Sequence, residues 1–213
     1  MRPRVVITGI GWVTPLGHDI DTAWRAMLAG QSGVRPTAKF DAGTFPTRFS
    51  AQVTGYDYRR FVRHADLHEG VGDNTAFALG AAAQAVDMAG LRDAAVDPAR
   101  LGIYLGSGEG VLDFDNYVAA NLAAWSPEAQ AIDTRAWATA ALARMNPLRE
   151  VEQEPNMPLA HLALEFNIQG PAYNCLTACA ASTQALGDAS HTTPPSHDHH
   201  DHAGADDPRI HPD

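Results

Sequence analysis

Two hydrophobic patterns alternate along the chain. Short β-branched runs that end in glycine are typical of buried strands, and two of them are RVVITGIGWVT at residues 4–14 and RLGIYLGSGEG at residues 100–110. Longer apolar stretches that begin with an acidic or amide residue and end at glycine are typical of helices. Two of these are DIDTAWRAMLAG at residues 19–30 and NTAFALGAAAQAVDMAGL at residues 74–91. The second is apolar almost all round, which predicts a helix buried between layers.

The segment PLAHLALEFNIQGPAYNCLTAC at residues 158–179 repeats this order as an apolar helix, a Gly-Pro turn and a strand. Strands that alternate with buried helices predict an α/β fold, in which helices cover both faces of the sheet. Between these elements the patterns are weaker. Residues 31–58 predict loop plus the short strand SAQVTG, and residues 111–153 predict an insertion of helices that carries Trp125 and Trp137, with breaks at Pro127 and Pro147.

The last part of the chain differs in composition from everything before it. Residues 190–213, SHTTPPSHDHHDHAGADDPRIHPD, have no hydrophobic periodicity and are rich in His, Asp and Pro. Composition of this kind predicts a disordered tail, so we divide the chain into a folded domain at residues 1–189 and a tail at residues 190–213. The run HDHHDH could bind Zn²⁺ or Ni²⁺ adventitiously, but it lacks the ordered scaffold of a specific metal site.

Charge and cysteine usage exclude several classes of protein. The formal net charge is -10, with no cluster of Lys or Arg, which disfavours binding to a nucleic acid backbone. No stretch is apolar for long enough to span a bilayer, and the first run is too short and too broken by Thr and Gly to be a signal peptide. The only cysteines, Cys175 and Cys179, lie four residues apart without a second pair, so neither a disulfide nor a metal site is predicted. These features favour a cytoplasmic protein, and we predict no cofactor.

Cys179 lies where a predicted strand turns into an alanine-rich helix, in NCLTACAASTQALGDAS at residues 174–190. Backbone N–H groups at a helix N-terminus favour anions, so they would stabilise a thiolate there and could hold an oxyanion. The small residues around the sulfur would let a thioester carbonyl approach it. From the local sequence alone, a small buried hydrophobe is the preferred interpretation of Cys179, and for Cys175, inside the strand, it is preferred more strongly.

Four separated segments together carry a family resemblance: residues 4–35, GIYLGSGEG, NMPLAHLALEFNIQGPA and TACAAST. They resemble the amino-terminal half of a β-ketoacyl-acyl-carrier-protein synthase, a condensing enzyme of fatty acid and polyketide synthesis. The resemblance implies the amino-terminal half of a thiolase-like fold, layered α-β-α with a mixed sheet. It also implies a homodimer paired through the strand that leads to the nucleophile.

The resemblance implies that Cys179 is the acyl-accepting nucleophile and that its backbone N–H forms part of the oxyanion hole. Gly106, Ser107 and Gly108 match a family loop near the acyl pocket, and Thr177 lies next to the nucleophile turn. We therefore predict these four residues to contact substrate, although a plain strand-ending turn accounts equally well for the glycine-rich loop. The implied partner is an acyl carrier protein that bears an acyl-phosphopantetheine. Family members often carry basic residues for this partner in a region where the present chain, at residues 63–74, balances bases with acids.

The sequence departs from the family by lacking the motifs of its second half. No His is followed by Gly, and the one Gly-His pair, Gly17-His18, matches no catalytic position. His64 and His68 are interpreted as surface residues and His161 as a satisfied structural histidine. We therefore expect a truncated synthase, with a frameshift or premature end near Ser190 as the hypothesis and full condensation doubtful. The alternatives are a non-catalytic, chain-length-factor-like subunit that pairs with a complete synthase, and a metal-binding protein built around the tail.

Overall fold

The structure is a computed structural model that describes residues 4–108, 110 and 113–192. The described helices are α1 (Ile20–Leu28), α2 (Asp73–Met88), α3 (Phe114–Ala124), α4 (Thr134–Arg144), α5 (Pro147–Glu152), α6 (Met157–Phe166) and α7 (Ala181–Thr192). The strands are β1 (Val34–Pro36), β2 (Phe49–Ala51), β3 (Ile103–Gly106), β4 (Trp125–Ser126), β5 (Ala131–Ile132) and β6 (Ala172–Cys175). The predicted tail from residue 193 onward, with its HDHHDH run, lies outside the described residues.

Helices α1 and α2 form where the sequence predicts them. The Asp19 side chain caps α1 by accepting a hydrogen bond from the backbone N–H of Thr22 at 2.8 Å. Gly30 and Gly90 follow the two helices with φ of 65° and 67°, a left-handed conformation that glycine adopts without steric cost. Local capping and stop signals therefore define both ends of α1 and the end of α2.

Strands β3 and β6 form the parallel pair at the centre of the fold. Their register places Ile103 opposite Ala172 and Gly106 opposite Cys175. Helix α7 packs against both strands, and α6 packs against both strands and α2. Leu79 of α2, Ile103 of β3 and Leu162 of α6 form the buried core between these elements. This arrangement confirms the predicted order of helix, Gly-Pro turn, strand and helix at residues 158–192.

The prediction of a buried first strand at residues 4–14 is wrong. The segment pairs with no strand among the described residues, and its β-branched side chains from Val5 to Ile10 are exposed, to 81% at Ile7. It lies instead along α2, where a Cβ on Gly9 would come within 2.0 Å of the Ala85 carbonyl oxygen. Strand propensity does not form a strand without a partner edge, and this segment lies against α2 and not against the edge of a described strand.

The remaining described strands form two further antiparallel pairs, β1 with β2 and β4 with β5. The described residues thus contain three two-stranded sheets and not one sheet covered on both faces, a correction to the sequence-based prediction. Helices α3 and α4 pack together as the predicted insertion, and Trp137 of α4 donates a hydrogen bond from its indole nitrogen to Asn121 of α3. Trp125 is the first residue of β4, and Pro147 begins α5.

One boundary and the burial of one histidine differ from those expected. Helix α7 continues through residues 190–192, which composition assigned to the tail. His68, interpreted as a surface residue, is completely buried, whereas His64 is exposed as expected. Among the described residues, no helix is both long enough and apolar enough to cross a membrane.

Candidate active site around Cys179

Cys179 lies in the turn that links β6 to α7, as predicted. Residues Ala178–Ala180 form a single 3-10 turn, and α7 begins immediately after it at Ala181. The backbone N–H of Ala180 donates to the Thr177 carbonyl oxygen at 3.0 Å, which closes the turn. The thiol of Cys179 is free, and the residue is exposed. The turn therefore presents this cysteine to solvent at the start of the helix.

The residue before the cysteine has an unusual backbone conformation. Ala178 has a φ of 48°, in the left-handed region that side chains with a Cβ rarely occupy. Such strain costs on the order of 1 kcal/mol and is common where a chain must turn sharply at a functional position. The abrupt change of direction from β6 to α7 accounts for it here.

Gly106 determines how close α7 lies to β3. A Cβ at this position would come within 2.3 Å of the Ala181 carbonyl carbon and of the Ser182 backbone nitrogen. The first turn of α7 therefore rests directly on the last residue of β3, and only glycine permits that contact. This places the predicted loop beside the helix that follows Cys179.

Ser107 is held by the corner between α5 and α6. Its hydroxyl lies 2.9 Å from Oδ1 of Asn174 and 3.0 Å from the carbonyl oxygen of Pro155, so it donates to one of these acceptors at a time. The Asn174 side-chain amide donates to the same Pro155 carbonyl at 2.9 Å. This serine thus positions the loop, and the pair Asn174 and Pro155 is a feature that sequence reasoning missed. A polar residue inside the apolar strand AYNC was the available signal.

The two other predicted contact residues lie in open surroundings. Gly108 is exposed, and no heavy atom lies within 4 Å of the position where a Cβ would be built. Thr177 is also exposed, and its carbonyl oxygen serves the turn described above. Glu109, between Gly108 and Gly110, lies outside the described residues. The structure therefore brings Gly106, Ser107 and the Cys179 turn together around the start of α7. Gly108 lies next to them in the sequence but is exposed and makes no close contact there.

Cys175 has a different environment from Cys179. It is half-buried, and its Sγ donates to the Ala181 carbonyl oxygen at 3.1 Å. It also lines a cleft of about 470 Å³ beneath α7, together with the stacked rings of Tyr104 and Tyr173, whose centroids are 5.3 Å apart. This second cysteine is thus tied into the packing of β6 against α7. In the described part of the chain, His, Cys, Asp and Glu form no group of three or more that could hold a metal ion.

Comparison with known proteins identifies the family. A family model described as beta-ketoacyl synthase, N-terminal domain, matches residues 2–192. The chain therefore belongs to the β-ketoacyl synthase family, and the resemblance inferred from its motifs is confirmed.

The curated relatives are synthases of about twice this length or more. The 3-oxoacyl-[acyl-carrier-protein] synthase 2 of Coxiella burnetii is 30% identical over 196 residues, with 89% of this chain and 42% of that protein covered. The chloroplastic 3-oxoacyl-[acyl-carrier-protein] synthase I of Hordeum vulgare is 32% identical over 186 residues, with 85% of this chain and 37% of that protein covered. The chain thus spans less than half the length of these relatives.

Solved structures confirm the predicted fold. The ishigamide ketosynthase/chain length factor matches with a TM-score of 0.69 at 24% identity, over 90% of this chain and 45% of that one. A beta-ketoacyl synthase from Burkholderia phymatum matches with a TM-score of 0.67 at 23% identity, over 87% of this chain and 42% of that one. AntDE:AntF, a type II PKS acyl-carrier protein in complex with its ketosynthase, matches with a TM-score of 0.58 at 19% identity, over 87% of this chain and 45% of that one. The described residues are the amino-terminal half of a thiolase-like ketosynthase fold.

Proposed function

We propose that this chain is the nucleophile-bearing half of a condensing acyltransferase of the 3-oxoacyl-acyl-carrier-protein synthase type, with Cys179 as the acyl acceptor. The observation that carries the proposal is the exposed, free thiol of Cys179 in the sharp turn between β6 and α7, within the segment that matches the family model. A helix N-terminus favours the thiolate form of such a cysteine, and the thiolate is the nucleophile.

The chemistry begins with attack of the Cys179 thiolate on a thioester carbonyl carbon. The tetrahedral intermediate carries an oxyanion, which backbone N–H groups at the start of α7 would stabilise, that of Cys179 among them. Its collapse breaks the bond to the departing thiolate, which takes up a proton from water, and leaves the acyl group on Cys179. The small side chains around the turn leave room for this approach. Gly106, Ser107, Gly108 and Thr177 are the residues that we propose to line the acyl path.

The second half-reaction, decarboxylation of a malonyl thioester and attack of the resulting carbanion, needs groups that stabilise developing negative charge. The printed sequence contains no His-Gly-Thr segment, and its Gly17-His18 pair lies in the loop before α1. In our proposal these groups come from the second half of the family fold. Acyl loading on Cys179 is therefore the step that this chain itself can be tested for.

The proposed partner is an acyl carrier protein, supported by the ketosynthase complex among the structural neighbours. Carrier proteins are acidic, and a complementary positive surface would steer them. Two arginines near residues 63–74 are already paired, Arg63 with Asp93 at 2.7 Å and Arg59 with Asp57 at 2.9 Å. We therefore expect weaker docking through this face than a fully basic surface would give.

Pairing and location complete the proposal. Among the described residues β6 is paired only with β3, so its other edge is free for the antiparallel pairing that the family resemblance implies for a dimer. The partner across that edge would be a second copy or a complete synthase. Both cysteines are free thiols, which suits a reducing compartment, and we place the reaction in the cytoplasm.

An acyl-loading assay tests the proposal. The chain is incubated with octanoyl-carrier protein, and its intact mass is measured with and without hydroxylamine, which cleaves thioesters. We expect one octanoyl group on the wild-type chain and on Cys175→Ala, and none on Cys179→Ala. Cys175→Ala is the matched control because it removes the other thiol. Loading that survives Cys179→Ala would contradict the proposal, and absence of loading in a chain that binds a complete synthase would favour the non-catalytic subunit.

A further inference from the structure

Four buried ionisable side chains form one continuous hydrogen-bonded chain behind the candidate site. Glu152 carboxylate oxygens lie 3.1 Å from Nε2 of His161. Nδ1 of His161 lies 2.9 Å from Nδ1 of His68, and Nε2 of His68 lies 3.0 Å from Oε2 of Glu165. The side chains are between 0% and 8% exposed. We call this arrangement the Glu-His-His-Glu chain.

The Glu-His-His-Glu chain joins elements that are distant in sequence. Glu152 ends α5, His161 and Glu165 lie one turn apart on α6, and His68 ends the 3-10 turn Ala65–His68. The spacing of four residues on α6 places His161 and Glu165 on the same helix face, where both reach His68. Its hydrogen bonds therefore hold α5, α6 and the 3-10 turn together.

A count of protons shows that two neutral histidines cannot satisfy this chain. It contains three contacts, and each needs one proton between its two heavy atoms. Two neutral imidazoles supply two ring protons, and two carboxylates supply none. With only two protons, one contact would set two lone pairs against each other, and with four, one contact would hold two protons. Three protons satisfy every contact, whichever of the four groups carries the additional one.

Among the described residues, no neighbouring side chain neutralises the charge of the Glu-His-His-Glu chain. Both oxygens of Glu165 also accept backbone N–H groups, from Arg63 at 2.6 Å and His64 at 3.2 Å. The Tyr58 hydroxyl donates to the backbone carbonyl of His68 and not to its ring. Among the described residues, no other charged side chain lies within ion-pair distance of the four. The nearby charged groups are Asp73, Asp113 and Arg149, which border the same cleft as Glu152, and Arg92, which lies over the ring of Phe166.

We propose that the Glu-His-His-Glu chain is a proton-dependent structural link. It holds three shared protons in the folded state and stabilises the corner between α5 and α6 only while it holds them. The Pro155 carbonyl oxygen in this corner accepts hydrogen bonds from Ser107 and Asn174, so the link supports the loop beside Cys179. The inference rests on the geometry of the four residues and stands whether or not Cys179 accepts an acyl group.

The proton count fixes the direction of the pH dependence. An imidazole free in water loses its second proton at about pH 6.5, so the two histidines of the unfolded chain hold about two ring protons above pH 7.5 and about four below pH 5.5. In the folded protein the Glu-His-His-Glu chain holds three protons. Above pH 7.5 folding therefore takes up one proton, and the folding equilibrium constant falls about tenfold per pH unit while that proton is retained. Below pH 5.5 the unfolded chain binds more protons, so stability falls there as well.

The substitution Glu152→Gln tests the count because Gln brings its own N–H. The amide donates to Nε2 of His161, His161 donates to His68, and His68 donates to Glu165, so two neutral histidines satisfy all three contacts. The Glu152 side chain has no other hydrogen-bond partner among the described residues, so little else changes. Glu154→Gln is the matched control, since it makes the same chemical change at an exposed position two residues further on.

The folding equilibrium constant of each protein is measured by urea unfolding, followed by tryptophan fluorescence, between pH 7.5 and 8.5. We expect the ratio of wild type to Glu152→Gln to fall about tenfold over this interval, and the ratio of wild type to Glu154→Gln to stay constant. A constant ratio for Glu152→Gln would overturn the proposal. Should this variant fail to fold, Glu165→Gln removes the same additional proton from the other end and is expected to show the same fall. It also loses the acceptor of the His64 N–H, which lowers stability equally at every pH and leaves the pH dependence of the ratio unchanged. Nitrogen NMR of the two rings and carbon NMR of the Glu152 and Glu165 carboxyl groups in the wild type at pH 7.5 are the independent readouts. We expect one imidazolium or one protonated carboxyl group, and two neutral rings between two ionised carboxylates would overturn the count.

Discussion

At the residue scale, Gly106 offers a direct test of how the loop supports the helix that follows Cys179. In Gly106→Ala the new Cβ meets the backbone of Ala181 and Ser182, which cannot move without shifting the start of α7. Overpacking of this kind costs about 1–3 kcal/mol of the free energy of unfolding. We expect that loss in urea unfolding, with a changed rate of iodoacetamide alkylation at Cys179.

The matched control for this substitution lies two residues away. Gly108→Ala adds the same methyl group where no heavy atom lies within 4 Å, so the free energy of unfolding should change by no more than about 0.5 kcal/mol. Equal effects of the two substitutions would show that α7 does not rest on Gly106.

The residues of the site differ in how far the sequence could predict them. The position of Cys179 in the turn before α7 was predictable, because the strand before it and the alanine-rich helix after it are local features. Its role as the nucleophile came from the family resemblance and stays a prediction. The support of Ser107 by Pro155 was not predictable, since 48 residues separate the two partners. His68 shows the same limit. Its polar neighbours indicate a surface residue, but its burial depends on His161, 93 residues further along the chain. Local patterns predict chemistry, whereas long-range contacts decide burial.

At the element scale, α1 depends on the cap at Asp19. Backbone and side-chain hydrogen bonds from Thr22 lower the pKa of Asp19 from its ordinary value of 3.8. We expect Asp19→Ala to cost about 1 kcal/mol of the free energy of unfolding at pH 7, because a helix N–H group loses its acceptor. The contribution of a carboxyl whose pKa is lowered is present above its ordinary pKa and is lost as pH falls through the folded-state pKa. The cost of the substitution should therefore shrink below pH 4 in denaturant titrations.

Asp19→Asn separates the cap from the charge. Asparagine caps helices about as well as aspartate, so this variant should retain most of the stability at pH 7. Its free energy of unfolding should also lack the acid dependence that the aspartate contributes. A loss as large as that of Asp19→Ala would show that charge, and not the hydrogen bond to Thr22, stabilises the start of α1.

Helices and strands were unequally predictable from the sequence for a physical reason. A helix satisfies its own backbone, so caps and stop glycines are enough to predict α1 and the end of α2. A strand needs a second strand, and the run VVITG at residues 5–9 has none among the described residues despite its β-branched side chains. Strands β3 and β6 form because each supplies the other's partner edge.

At the scale of the whole molecule, the exposed segment at residues 4–10 creates an apolar surface that a lone chain cannot cover. Val5, Val6 and Ile7 are 54%, 64% and 81% exposed and adjacent in sequence. Continuous apolar surface of this kind promotes association. We therefore expect the chain to self-associate in a concentration-dependent way, measurable by sedimentation velocity.

Lysine substitutions in this segment test whether it drives that association. Val6→Lys and Ile7→Lys each remove one exposed apolar side chain, and burial of such a side chain contributes about 1.5 kcal/mol or more. We therefore expect each to weaken self-association about tenfold in sedimentation velocity, with little change in the free energy of unfolding because neither side chain is packed. Thr8→Lys is the control, since it adds the same charge at an exposed position without removing apolar surface. If Thr8→Lys weakens association as much as Ile7→Lys does, charge repulsion is responsible, and the apolar segment is not the contact surface.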